Sequence, residues 1–130
     1  MATEGLAGLY FETRNYGATA AFWASLGFEN MFETGHGSGQ WVHPDGGPYI
    51  FINEQQDGPL DTHPILGVAD ATTFAPPRAA DYAKPFTAEH WDVMEAWIRD
   101  PDGRIVSLQA PLPPGVAAPD GDAHHAEKYG

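Results

Sequence analysis

Apolar and aromatic residues occur along the chain in short runs, and turns rich in glycine and proline separate these runs. Residues 6–13 form the first run and predict a strand. Asn15 is suited to cap a helix, and Gly27 is suited to end it. Between them, apolar residues recur at helical spacing. The predicted apolar face of this helix carries Ala18, Ala21, Phe22 and Leu26.

The rest of the chain continues this alternation of strands and turns. Three more strands of the first block are predicted at 28–34, 40–43 and 49–54. A polar linker follows, and the second block then begins with a strand near 65–69. A shortened helix is predicted within 71–83, starting near Pro76-Pro77, because proline suits a first helical turn. The remaining strands are predicted at 86–91, 93–99 and 104–109, and a loose tail at 116–130.

The pattern predicts that each sheet has one covered face and one open face. The helix of the first block must bury its apolar side on the sheet, which leaves the other side available for a ligand. Because side chains alternate along a strand, residues two apart share a face. The residues expected on the open face are Gly8, Tyr10, Glu12, Tyr49, Phe51, Asn53, Ile105, Ser107 and Gln109.

Composition and charge narrow the class of function. A chain of 130 residues without cysteine indicates one domain with no disulfide framework and no thiolate site. The formal net charge of −12 opposes binding to nucleic acid and to anionic membranes. No apolar run can span a bilayer and no basic-then-apolar leader is visible, so a cytoplasmic location is expected.

Two motifs resemble the vicinal oxygen chelate superfamily, which includes glyoxalase I, extradiol dioxygenases and bleomycin-resistance proteins. The first is the segment 18–23 followed by Leu26-Gly27-Phe28, and the second is the segment 100–104 followed by 105–108. The resemblance implies an α+β fold of two β-α-β-β-β modules, each a curved half-barrel around a ligand cleft. Residues 1–115 are expected to be one domain, with modules at about 5–55 and 62–112. It also implies a homodimer, often with exchanged modules.

The resemblance further implies where a divalent metal would be held. The four positions fall on Gly8, Phe51 (or Ile50), His63 and Ser107. Glycine and phenylalanine offer no ligand atom and serine is a poor one, whereas a catalytic metal needs about three protein ligands. Since Pro64 follows His63, this histidine is interpreted as a surface or hinge residue. No cofactor is therefore expected.

Aromatic residues dominate the predicted strands and favour a binding role. A cleft walled by rings and lacking a metal suits a flat, conjugated or cationic ligand. The first hypothesis is therefore a non-catalytic protein that sequesters a planar, DNA-damaging antibiotic or similar natural product and so confers self-resistance. The expected ligand-binding residues are Tyr10, Glu12, Trp41, His43, Tyr49, Phe51, Asn53, His90, Trp91, Trp97, Ser107 and Gln109.

Other readings remain open. The second hypothesis is a glyoxalase-like or dioxygenase-like enzyme with an atypical or absent metal, in which Tyr10 and Glu12 could act as an acid–base pair. A metal site built from His36, His43 and His90 with Glu12 or Glu89 is a variant of it, although the spacing of the histidines matches no metal motif. The third hypothesis is a dimeric interaction module without a small ligand.

Overall fold

The computed structural model describes residues 3–76, 78 and 81–119. The chain divides into two compact units: Leu6–Ile65 is the first unit, and Met1–Gly5 with Leu66–Gly130 is the second. Of the tail predicted at 116–130, residues 120–130 lie outside the described part. In the described part, no helix has the length and apolar character needed to cross a membrane.

The first unit contains a helix and a sheet in the predicted β-α-β-β-β order. The elements are β1 (Leu6–Thr13), α1 (Tyr16–Ser25), β2 (Glu29–Glu33), β3 (Ser38–Val42), β4 (Tyr49–Glu54) and the first part of β5 (Thr62–Gly67). The strands lie in the order β2-β3-β4-β1-β5. The central pair, β1 and β4, is parallel, whereas β3 pairs antiparallel with both β2 and β4.

Helix α1 begins and ends as predicted but buries a different face. The side chain of Asn15 accepts a hydrogen bond from the backbone of Ala18, and Gly27 has a φ of +97° just after the helix. Trp23 packs on Phe11 with ring centroids 5.5 Å apart, and Ala20 is buried. The predicted face is wrong: Ala18, Ala21, Phe22 and Leu26 are exposed, because Tyr16, Ala20 and Trp23 form the stripe that faces the sheet.

The second unit is built on a three-stranded antiparallel sheet in the order β8-β7-β6. Its strands are β6 (Tyr82–Glu89), β7 (Val93–Arg99) and β8 (Ile105–Pro111). Its core is formed by Val68, Ala96, Leu108 and Ala110, and the rings of Phe74 and Phe86 pack against it. Segment 68–74 therefore covers one face of this sheet, as α1 does in the first unit.

The helix predicted to start near Pro76-Pro77 does not form in the described residues, and residues 77, 79 and 80 lie outside them. Asp70 caps a single turn instead, because its side chain and carbonyl accept hydrogen bonds from the backbone of Thr72, Thr73 and Phe74. Pro76 disfavours the helical conformation of the residue before it, so the turn is not extended. β6 already begins at Tyr82.

Tyr16 ties the start of α1 to the sheet. Its hydroxyl donates to Glu33 of β2 at 2.7 Å and accepts from the indole N–H of Trp41 in β3 at 3.3 Å. Its backbone N–H donates to the carboxylate of Glu54 in β4 at 2.8 Å. Burial and the hydrogen bond to the Glu33 carboxylate raise the pKa of Tyr16 from 10.0 to about 12.

We expect Tyr16 to ionise well above the ordinary tyrosine pKa of 10.0. Because its pKa is raised in the folded chain, the stability it contributes is complete below pH 10.0 and is lost as the pH rises through about 12. A spectrophotometric titration of tyrosinate after rapid pH jumps measures this. In Tyr16→Phe the ionisation nearest pH 12 should disappear, and loss of an earlier one instead would contradict the assignment.

Candidate functional site

The face of the first sheet opposite α1 carries a row of ring side chains. Phe32, Phe51, Tyr10 and His63 come from β2, β4, β1 and β5, and we call these four residues the ring row. Gln40 of β3 stands in register between Phe32 and Phe51, and Phe51 is in register with Tyr10. The Tyr10 and Phe51 rings are 6.2 Å apart and inclined by 12°, whereas Phe32 and Phe51 are 6.4 Å apart.

Polar groups surround Tyr10 in the middle of this row. The Tyr10 hydroxyl donates to Glu12 at 2.8 Å and accepts from the amide of Asn53 at 3.1 Å. The other carboxylate oxygen of Glu12 accepts from the backbone N–H of Asp61 at 2.9 Å. The predicted contact between Tyr10 and Glu12 is therefore present, and Glu12 is held by a phenol and by the main chain.

His63 belongs to the ring row, and its interpretation as a surface or hinge residue is wrong. It is 9% exposed, its ring stacks on Tyr10 at 4.8 Å, and its Nδ1 lies 2.7 Å from a carboxylate oxygen of Asp61. The reason is that β5 begins at Thr62, ahead of the predicted start near residue 65. Pro64 removes one N–H donor but does not stop the strand.

Five of the predicted ligand-binding residues share this face: Tyr10, Glu12, Tyr49, Phe51 and Asn53. Tyr49 lies directly over Gly8, since a Cβ added to Gly8 would be 2.5 Å from the Tyr49 ring. Close approach of these two residues thus requires glycine at this position. The alternation of β1 and β4 predicted this grouping, although their binding role stays a prediction.

Trp41 and His43 lie on the opposite face of the first sheet. Trp41 is in register with Ile50, which is buried, and it donates to Tyr16 of α1. His43 packs edge-on against Phe28 beside the end of the helix. Trp41 and His43, which were expected to bind the ligand together with these rings, therefore lie on the other face of the sheet.

The second unit places Trp97, Ser107 and Gln109 around buried charges. Lys84 lies 2.8 Å from Glu89 and 3.1 Å from Glu95, and its ammonium is 4.5 Å from the centre of the Trp97 ring. Ser107 and Gln109 donate to the other oxygen of Glu95 at 2.8 and 3.0 Å. This cluster is on the side of β7 and β8 opposite the core. No motif in the sequence indicated that Lys84 would lie at the centre of this cluster.

His90 and Trp91 occupy the turn between β6 and β7. Their rings meet edge to face at 4.8 Å, and Asp92 follows with a φ of +66°, which permits the reversal. Within the described residues, no three His, Asp or Glu side chains are grouped so that they could hold a metal ion. The histidine metal site weighed above is therefore absent from this part of the chain.

Comparisons with known proteins show the fold. No protein-family model and no curated protein matches the chain. A solved glyoxalase/bleomycin resistance protein/dioxygenase superfamily member from Vibrio splendidus 12B01 is 13% identical, with a TM-score of 0.63, over 79% of this chain and 96% of that one. The chain has the fold of this superfamily.

Two solved dioxygenases share this fold but are longer proteins. A halotolerant catechol dioxygenase, BphC, has a TM-score of 0.60 at 13% identity, covering 91% of this chain and 42% of its own. A catechol 2,3-dioxygenase has a TM-score of 0.50 at 11% identity, covering 88% of this chain and 44% of its own. The chain thus spans less than half the length of either.

The residues at the metal positions implied by the superfamily do not fit a divalent metal. Gly8 and Phe51 have no ligand atom, and the Tyr49 ring fills the space that a side chain at residue 8 would need. His63 could offer one ligand atom, Nε2, and the Ser107 hydroxyl donates to Glu95. A catalytic metal needs about three protein ligands, which this set does not supply.

We expect loss of the Lys84 ammonium to destabilise the fold much more than loss of the exposed Arg104 guanidinium. Lys84→Met leaves the nearly buried Glu89 and Glu95 without their shared cation and should lower the free energy of unfolding by about 3 kcal/mol. Arg104 also bridges two carboxylates but is 73% exposed, so Arg104→Met should leave the free energy of unfolding nearly unchanged. Urea unfolding measures both, and equal losses would contradict this account.

Proposed function

We propose that the chain is a non-catalytic binding protein that captures a planar aromatic small molecule on the ring row. The ligand class is a DNA-damaging antibiotic or similar natural product, and stoichiometric capture would give self-resistance. The observation that carries this proposal is the alignment of Phe32, Phe51, Tyr10 and His63 across one sheet face opposite the helix.

The geometry of the row suits a flat ligand. Tyr10 is nearly parallel to Phe51 and inclined by 28° to His63, so three neighbouring rings present similar orientations. Phe32 is 43% exposed at one end, and this leaves apolar area for a ligand to cover. Burial of such area contributes about 25 cal/mol per Å², and ring contacts add about 0.5–1.5 kcal/mol each.

Charge supports a cationic ligand. Glu12 lies beside Tyr10 on this face, and the chain as a whole has a formal net charge of −12. A negative surface attracts cations and raises the rate at which they encounter the protein. A planar ligand with a basic group is therefore favoured over an anionic one.

The enzymatic alternative is a glyoxalase-like or dioxygenase-like reaction. The names of the structural neighbours include dioxygenases, but at 13% and 11% identity they carry only the fold. The residues at the implied metal positions argue against the alternative, because Gly8 and Phe51 cannot ligate. Metal analysis after dialysis separates the two functions, since a stoichiometric divalent ion would favour the enzyme.

Stacking on the ring row is tested by removing one ring. Phe51→Leu keeps an apolar side chain but loses the aromatic contact, so the affinity for a bound planar antibiotic should fall by about 1 kcal/mol, or about fivefold. Isothermal titration calorimetry with a panel of planar antibiotics measures this affinity.

The matched control is Phe22→Leu, which removes an exposed ring from α1 and should leave the affinity unchanged. If no compound of the panel binds the unmodified protein, or if both variants bind as tightly as it does, the ring row is not the binding surface. The homodimer stays a prediction, for which sedimentation provides the test.

A further inference from the structure

Asp61 determines the role of each His63 nitrogen. Nδ1 lies 2.7 Å from the Asp61 carboxylate. An ionised carboxylate has acceptor atoms but no donor. Nδ1 must therefore carry the proton. A neutral imidazole has one donor and one acceptor nitrogen, so Nε2 is left as the acceptor.

The acceptor nitrogen has no partner within the part of the chain that the structure describes. In residues 3–76, 78 and 81–119, the only hydrogen bond of the His63 ring is the one to Asp61. Nε2 is not a buried unsatisfied atom, so solvent reaches it, and a ligand hydroxyl can replace the water that would bond there. His63 is 9% exposed.

His63 also lies at one end of the surface proposed to bind the ligand. Its ring stacks on Tyr10, so a planar molecule bound along Phe51 and Tyr10 would reach the imidazole at the end of the row. The neighbouring acceptor, Glu12, already receives hydrogen bonds at both oxygens, from Tyr10 and from the Asp61 backbone. Nε2 of His63, in contrast, receives no hydrogen bond from the described residues.

We propose that the ligand is a planar aromatic molecule with a hydroxyl group on its ring, and that this hydroxyl donates a hydrogen bond to Nε2 of His63. This inference rests on the proposed binding function. It names Asp61 as a positioning residue, because Asp61 holds the imidazole in the tautomer that accepts. It requires no bond to be made or broken.

A pair of matched ligands tests the inference. 2-Naphthol and 2-methoxynaphthalene share the same rings, but only the first can donate a hydrogen bond. At pH 8 the protein should bind 2-naphthol about fivefold more tightly, as expected for one net hydrogen bond. Calorimetry gives both affinities.

Three variants locate the effect. His63→Phe keeps a ring in the row but removes the acceptor, so the preference should vanish while the affinity for 2-methoxynaphthalene stays within about twofold. Asp61→Leu removes the acceptor at Nδ1, so the imidazole is no longer held in the accepting tautomer and the preference should weaken. His43→Phe, on the other face of the sheet, should retain it.

A ligand-free measurement accompanies the variants in case His63→Phe does not fold. The ¹⁵N shifts of the imidazole in the unmodified protein should show a protonated Nδ1 and an unprotonated Nε2. The opposite tautomer would overturn the inference. Equal binding of the two naphthalenes would overturn it while leaving the proposed function intact, and binding of neither the naphthalenes nor the antibiotic panel would overturn both.

Discussion

Each sheet in this chain has one face occupied by packing, and this constraint determines where chemistry is possible. In the first unit α1 covers the sheet through Trp23 and Ala20. In the second, segment 68–74 covers it through Val68 and Phe74. Because side chains alternate along a strand, the residues next to each core residue in the sequence point to the other face. The ring row and the Lys84 cluster are the two results.

The two units carry different side chains on the face that their covering segment leaves open. The open side of the first sheet carries stacked rings, with polar atoms concentrated around Tyr10. The corresponding side of the second sheet carries two nearly buried carboxylates that share one ammonium. A buried ion pair contributes little net stability compared with apolar packing, but its geometry is specific. The rings therefore suit recognition, whereas the charges chiefly order their own unit.

Local pattern was sufficient for some parts of the site and not for others. The alternation of side chains along β1 and β4 predicted that Tyr10 and Phe51 share a face. Both strands pack their other side against α1. The face of Trp41 depends on the register of β3 against β4, which is set by the intervening turn. A shift of register in β2 between Asn30 and Phe32 places the Phe32 ring in the row, and such a bulge leaves no local signal.

Other errors came from signals that pointed in two directions. Helix α1 has apolar residues around most of its circumference, so Phe22 and Leu26 gave a stripe as convincing as the true one, yet both are exposed. Pro64 argued against a strand at His63, although a strand tolerates the loss of one donor. A second helix was expected near Pro76-Pro77, but the described residues form a capped turn at Asp70 and then β6 from Tyr82.

The contact between Gly8 and Tyr49 makes the ligand face difficult to convert into a metal site. A ligating side chain at residue 8 would begin with a Cβ 2.5 Å from the Tyr49 ring, so the ring would have to move or be lost. Phe51 would also have to give up its place beside Tyr10. Each change toward a metal ligand thus removes a ring contact before any coordination is complete. Rings and metal ligands compete for the same positions, and in this sheet the rings occupy them.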